Sequence, residues 1–291
     1  MLRRLALAAA LAAAGPAAAD LVDRTARVVW SEAWPGFGSF SGLHVSADGQ
    51  RFVTVSDKGA FAAGRFLRDG GRLTGVTPLR HGPLREPDGT PLSGRRIDAE
   101  GLTAGPDGRL YVSFEAADRI AVYDDIALPP VHLPSPAVFA TLQNNSALEA
   151  LASDIVGRLY AIPERSGALD RPFPIYRFDG GGWDQPFAVP RRPPYLVTGA
   201  EFGPDGRLYV LERDYSFLGF RTRIRRFVIG GAAGLSGEET VVETGFGRFD
   251  NLEGIALWQD AAGRIRILCI SDDNARIFQR TEFVEFTRAA D

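Results

Sequence analysis

Apolar residues occur along this chain in short runs. Segments such as Arg51-Phe52-Val53-Thr54-Val55-Ser56 and Gly206-Arg207-Leu208-Tyr209-Val210 are rich in β-branched and aromatic side chains, and clusters of Gly, Pro and Asp separate them. This is the pattern of strands joined by turns. No stretch sustains a 3.6-residue apolar period, and no Rossmann or P-loop glycine pattern is present.

The pattern repeats. A short apolar strand, a Pro-Asp-Gly type turn and a second strand recur five times, with turn glycines at Gly49, Gly108, Gly157, Gly206 and Gly263, an average spacing of about 53 residues, near the upper end of propeller-blade periods. Two further strands follow the first four hairpins: 64–67 and 72–76; 119–123 and a stretch ending at Phe139; 174–178 and 185–189; 222–228 and 239–243. Four strands per repeat make a propeller blade. The fifth copy has one further strand, 275–286, and residues 27–31 at the other terminus supply its missing outer strand. The fold class expected is all-β: a single β-propeller of four-stranded antiparallel blades over residues 20–291, closed by the N-terminal strand pairing with the last blade, which leaves no exposed sheet edge at the join. Five blades account for the length, with six as the alternative if a degenerate blade hides in 77–97 or 128–146.

Composition narrows the class. Of 291 residues, 45% are apolar and 24% charged, with 33 Lys and Arg against 36 Asp and Glu, so no electrostatic footprint for nucleic acid exists. Gly (33) and Pro (19) are abundant, as frequent turns require, and Cys269 is the only cysteine, which excludes an intramolecular disulfide and a Cys-based metal site. The first 19 residues read as a leader rather than fold: a basic Met1-Leu2-Arg3-Arg4 head, an apolar run over 5–14, and Ala17-Ala18-Ala19 before an expected mature start at Asp20. Sec and twin-arginine export both remain open. The protein is therefore expected in the periplasm or secreted, as a monomer with no membrane span.

In a propeller the start of the first strand and the end of the second meet at one rim of the central channel. Those places hold Ser41 with Asp57, Glu100 with Glu115, Glu149 with Glu164, Glu201 with Glu212, and Glu253 with Asp272 and Asp273. One rim should be ringed by carboxylates, with Asp98, Asn144, Asn145, Asn251 and Asn274 adding oxygen ligands nearby. Like charges converging on a channel are costly without a cation. The expected metal ligands are Asp57, Asp98, Glu100, Glu149, Glu201, Glu253 and Asp273, and oxygen donors without thiolates suit Ca²⁺ or Mg²⁺; Ca²⁺ is the expected cofactor. Glu100, Glu149 and Glu253 are the candidate catalytic bases. Lys58, Arg165, Arg213, Asn251 and Asn274 are the candidate substrate-binding residues. No Gly-x-Ser-x-Gly elbow occurs, which disfavours a serine hydrolase.

The ordered motifs Ser41-Gly42-Leu43, Val55-Ser56-Asp57-Lys58-Gly59, Asp98-Ala99-Glu100-Gly101-Leu102, Leu148-Glu149-Ala150-Leu151, Leu211-Glu212-Arg213-Asp214, Asn251-Leu252-Glu253-Gly254-Ile255-Ala256 and Ser271-Asp272-Asp273-Asn274 resemble those of the bacterial phytase-like domain family with esterase-like activity. The likeness runs over about 37–287. It implies a β-propeller and hydrolysis of an ester or phosphoester, with a small-molecule substrate. Lys58 is the only lysine in the chain, and no Lys- and Arg-rich phosphate cradle is evident, which disfavours the highly charged phytate. The alternative of a different class is a non-catalytic periplasmic propeller that binds a ligand or protein partner at that rim, with a structural Ca²⁺ or no metal.

Overall fold

The computed structural model describes residues 26–142, 148–230 and 234–289; the leader expected at 1–19 and the pair Asn144 and Asn145 lie outside them. Strand β1 spans Ala26–Val29. Blade 1 comprises β2 (Phe40–Val45), β3 (Arg51–Ser56), β4 (Ala60–Asp69) and β5 (Arg72–Pro83); blade 2 comprises β6 (Ala99–Ala104), β7 (Leu110–Phe114), β8 (Arg119–Tyr123) and β9 (Val131–His132). Blade 3 comprises β10 (Ala150–Ser153), β11 (Leu159–Ile162), β12 (Phe173–Phe178) and β13 (Trp183–Val189); blade 4 comprises β14 (Leu196–Phe202), β15 (Leu208–Ser216), β16 (Gly219–Ile229) and β17 (Leu235–Glu243). Blade 5 comprises β18 (Asn251–Gln259), β19 (Ile265–Asp272) and β20 (Glu282–Arg288), with β1 as its outer strand.

The architecture is thus an all-β, five-bladed propeller of four-stranded antiparallel sheets. The ring closes by antiparallel pairing of β1 with β20, Ala26 opposite Glu285 and Val29 opposite Glu282. No sixth blade exists among the described residues: 77–83 extend β5, and 131–132 form the short outer strand of blade 2. That outer strand was expected to end at Phe139, but Pro134 and Pro136 cannot donate to a ladder, and 137–141 coil into a 3-10 turn that buries Phe139. The third strand of blade 5 begins at Glu282 rather than at 275.

Two local rules build each hairpin. The five turn glycines have φ between 67° and 87°, a region costly for any side chain. The aspartate before each turn accepts backbone N–H groups two residues on, as Asp107 does from Arg109 and Asp205 from Arg207, which is an Asx turn. The strands then bury apolar faces between neighbouring blades, giving five interblade cores. At the ring closure Trp30 stacks on Phe40 and Phe283, with ring centroids 5.2 and 5.6 Å away. Each such aromatic pair adds about 0.5–1.5 kcal/mol beyond area burial.

Candidate functional site

Each inner strand approaches its neighbours where the ladder is irregular. Register shifts fall between Phe40 and Gly42, Ala99 and Leu102, Val197 and Gly199, and Leu252 and Gly254. The residues set at these β-bulges are Ser41, Glu100, Thr198 and Glu253, and Glu149, just before β10, holds the equivalent place in blade 3. Glycine follows because the strands touch around the axis. A Cβ on Gly199 would lie 2.4 Å from the carbonyl oxygen of Glu253 in the next blade, and one on Gly42 would lie 2.7 Å from that of Glu100. A bulge re-aims its residue, here together with the others towards one mouth of the channel.

A second column stands at the ends of the second strands: Asp57, Glu115, Glu164, Arg213 and Asp272. All five line one cavity of about 260 Å³ together with Ser41, Glu100, Glu149, Glu253 and Arg165. Seven of these ten are carboxylates. Most of the expected rim is therefore assembled, and blade 4 is where it departs. There Thr198 replaces the bulge glutamate and Arg213 replaces the second acid. Glu201 sits three residues further along β14, opposite Tyr209, in register with Thr103 of blade 2, whose hydroxyl donates to it at 3.0 Å. Burial lifts the Glu201 carboxyl to about 8, but Glu201 does not line the acidic cavity. Counting back from Gly206 by the step that leads from Gly108 to Gly101 would have found Gly199, and with it Thr198; the Glu-Phe pair at 201–202 imitated the motif three residues late. Glu212 faces away from the mouth and accepts from Arg223 and Arg225.

Arg213 is the organiser of the cavity. Its guanidinium pairs with Glu253 and Glu164, each at 3.0 Å, and donates to Asn251 Oδ1 at 2.7 Å. Asn251 in turn donates to Glu253 Oε1 at 2.8 Å, and Ser41 to Glu253 Oε2 at 3.1 Å. Burial opposes the charge on Arg213, but Glu253, Glu164 and Glu149 outweigh it and raise the pKa. Burial likewise raises Glu253, against the pull of Arg213, Ser41 and Asn251.

The opposite side of the mouth has acids against acids. Burial, then Glu149 and Glu253, hold Glu100 well above the usual carboxylate range; burial, then Glu164 and Glu253, do the same to Glu149. Asp57 and Asp272 are pushed up to about 7, chiefly by burial and then by a neighbouring acid, Asp272 in the first case and Glu253 in the second. Oxygen atoms of Asp98, Glu100 and Glu115 all lie within 4.8 Å of one another. Asp57 Oδ1 is buried without a hydrogen-bond partner among the described residues.

Wider cavities flank this centre. One, of about 760 Å³, is lined by Asp57, Lys58, Asp98 and Asn274, with Lys58 Nζ donating to the Phe37 carbonyl at 3.3 Å. The non-glycine residues with positive φ among the described residues, Ser39, Ala116, Asn274 and Ala275, all line that cavity. Strain of this kind costs about 1–3 kcal/mol per residue and clusters at ligand sites. The other cavity, of about 790 Å³, shares Glu164, Arg165 and Arg213 with the acidic centre. Asp273, expected as a ligand, instead holds the turn, accepting from the backbone of Ser39 and Ala275 and from the Thr281 hydroxyl.

Among solved structures, similar ones include the PQQ-bound aldose sugar dehydrogenase from Streptomyces coelicolor (14% identity, 91% of this chain and 99% of that one, TM-score 0.47). Others are virginiamycin B lyase from Staphylococcus aureus (13%, 90% and 98%, 0.43) and a protein from Dyadobacter fermentans (15%, 86% and 76%, 0.46). With TM-scores below 0.5, the propeller assignment rests on the sheet order and not on these likenesses. No curated protein matches the sequence. The family model described as phytase-like, esterase-like activity of phytase, matches residues 35–275, which span all five inner hairpins and the whole acidic mouth, and the chain belongs to that family.

Proposed function

We propose that this propeller is an exported hydrolase of an ester or phosphoester, working with a divalent cation at the acidic mouth. The observation that carries this reading is the convergence of seven carboxylates from four blades on one cavity of about 260 Å³, against two guanidiniums, Arg213 bridging Glu253 and Glu164 and Arg165 paired with Glu164. Such a set is unfavourable until a proton or a cation enters it.

The residues fit a hard cation. Asp98, Glu100 and Glu115 offer oxygens within mutual reach, the donor set suited to Ca²⁺, and Asp57 and Asp272 stand nearby. When bound, such an ion supplies Lewis-acid polarisation of an ester oxygen and a more acidic water. The chain's own residues divide the remaining work. Glu149, held well above the usual carboxylate range by burial and by Glu164, Glu253 and Glu115, keeps its proton more readily than an ordinary carboxyl and is the proton carrier. Glu253 is committed to Arg213, Asn251 and Ser41, and so positions the guanidinium. Arg165, paired with Glu164 at 3.1 Å but half exposed, and Arg213 meet the negative charge of a substrate.

The test combines melting temperatures in Ca²⁺ and in EDTA with a panel of chromogenic phosphate and carboxylate esters. Wild type should melt higher in Ca²⁺ and hydrolyse at least one ester. Glu100→Gln should lose both properties, whereas Glu149→Gln should keep the Ca²⁺ response and lose about 10²–10⁴-fold in turnover. Stabilisation by Ca²⁺ with no ester turned over would leave a ligand-binding propeller instead.

A further inference from the structure

The 790 Å³ cavity beside the acidic mouth has the size of a small-ligand pocket, and two rigidly held projections form its walls. One is the β15–β16 hairpin, whose tip carries Phe217 and Leu218, 92% and 59% exposed. The tip is fixed by Leu218 N–H donating to Ser216 Oγ at 3.1 Å and by Gly247 N–H donating to the Phe220 carbonyl at 2.8 Å. The other is the segment before β20, which presents Phe278, 73% exposed. It is tied down by Asp250, which accepts from Arg280 N–H at 2.8 Å and from Gln279 Nε2 at 3.1 Å. Large apolar side chains displayed on two braced walls of one cleft mark a binding surface.

The charge of the cleft is specific. Arg276 and Arg280 line it, are exposed, and make no ion pair among the described residues; Arg165 lies at the junction with the acidic centre. Three acids also line it and each is held: Asp214 by Arg221 at 2.9 Å, Glu164 by Arg213 and Arg165, and Asp250 by the Arg280 N–H and Gln279 Nε2.

We infer that this cleft takes an amphiphilic anion, with an alkyl or aryl part between Phe217, Leu218 and Phe278 and its negative group against Arg276, Arg280 and Arg165. Because the cleft shares Glu164, Arg165 and Arg213 with the acidic cavity, the ester cleaved there is one that carries an apolar tail and a negative charge. The ester assignment rests on the hydrolase reading; the binding does not.

Calorimetric titration with decylphosphonate below its micellar concentration tests the binding without turnover. Wild type should bind it at least about tenfold more tightly than methylphosphonate or decyltrimethylammonium, and Phe217→Ser/Phe278→Ser and Arg276→Gln/Arg280→Gln should each weaken it by about tenfold or more. All of these side chains are on the surface, so unchanged unfolding midpoints will show that the variants fold. Equal affinity for the three probes, or unchanged affinity in both double variants, overturns the inference. So does failure to bind monomeric decylphosphonate while phosphatidylglycerol vesicles capture wild type and not Phe217→Ser/Phe278→Ser, which would make the surface a membrane contact. Binding intact with no ester hydrolysed supports the cleft and removes only the hydrolase reading; hydrolysis without binding removes only the cleft.

Discussion

Two groups of buried carboxylates share this propeller and have opposite surroundings. In blade 4, Glu212 has no exposed surface and accepts from Arg223 and Arg225, while Arg225 also pairs with Glu238 and donates to the Pro190 carbonyl. At the mouth, a few residues away, Glu100, Glu149, Asp57 and Asp272 each have another acid as the main electrostatic neighbour: Glu149, Glu164, Asp272 and Glu253 in turn. The residue types are the same; the register decides which side of the sheet each faces. A carboxylate matched on both oxygens is part of the framework, whereas a set of unmatched ones holds protons or waits for a cation.

The sharpest way to break that contrast is to neutralise one member of each group. Glu212→Gln removes the charge that Arg223 and Arg225 share and leaves Glu238 as the only acid on Arg225, and should cost about 3 kcal/mol, read from the denaturant midpoint. Glu100→Gln, measured in EDTA, should leave stability unchanged or raise it, because it removes a repulsion. Equal losses from the two would end the distinction.

A second expectation uses pH. Asp57 and Asp272 in the folded state titrate at about 7 and Glu201 at about 8, against ordinary values of 3.8 and 4.5. Folding therefore favours their protonated forms. Their stabilising contribution is complete below about pH 4 and is lost as pH rises through about 7 to 8. In EDTA the melting temperature should fall across that window, by about 2–4 °C for each kcal/mol lost. Ca²⁺ should flatten the fall at the mouth, and the slope remaining should shrink in Glu201→Gln. A melting temperature independent of pH in EDTA would show that the mouth acids are matched after all.

Smaller effects test the geometry beneath the contrast. Gly199→Ala places a methyl 2.4 Å from the Glu253 carbonyl and should cost about 1–3 kcal/mol, with a weakened Ca²⁺ response because Glu253 moves. Thr103→Val removes the hydroxyl that serves Glu201 and should cost about 1 kcal/mol while leaving the Ca²⁺ response intact, since that pair does not line the acidic cavity.

The sequence determined the repeat, the turns and the ring closure, and narrowed the blades to five or six, because each is written in local chemistry: Asx turns with positive-φ glycines, alternating strands, and a fifth copy lacking one strand that the other terminus carries. It also placed Glu100, Glu149, Glu253, Asp57 and Asp272 at one mouth, since each stands at the strand end eight to ten residues from its turn glycine. Strand pairing decided blade 4, where residue type and turn spacing point to different positions. Its glutamates at 201 and 212 fit the motif by type, yet strand pairing puts Thr198 and Arg213 in the ring, because a slip along a strand changes which face and which end a side chain occupies. Tertiary structure also brought the β15–β16 hairpin and the segment before β20, about 60 residues apart in the chain, to the two walls of one cleft. Their meeting follows from the packing of blade 4 against blade 5, which no local pattern records.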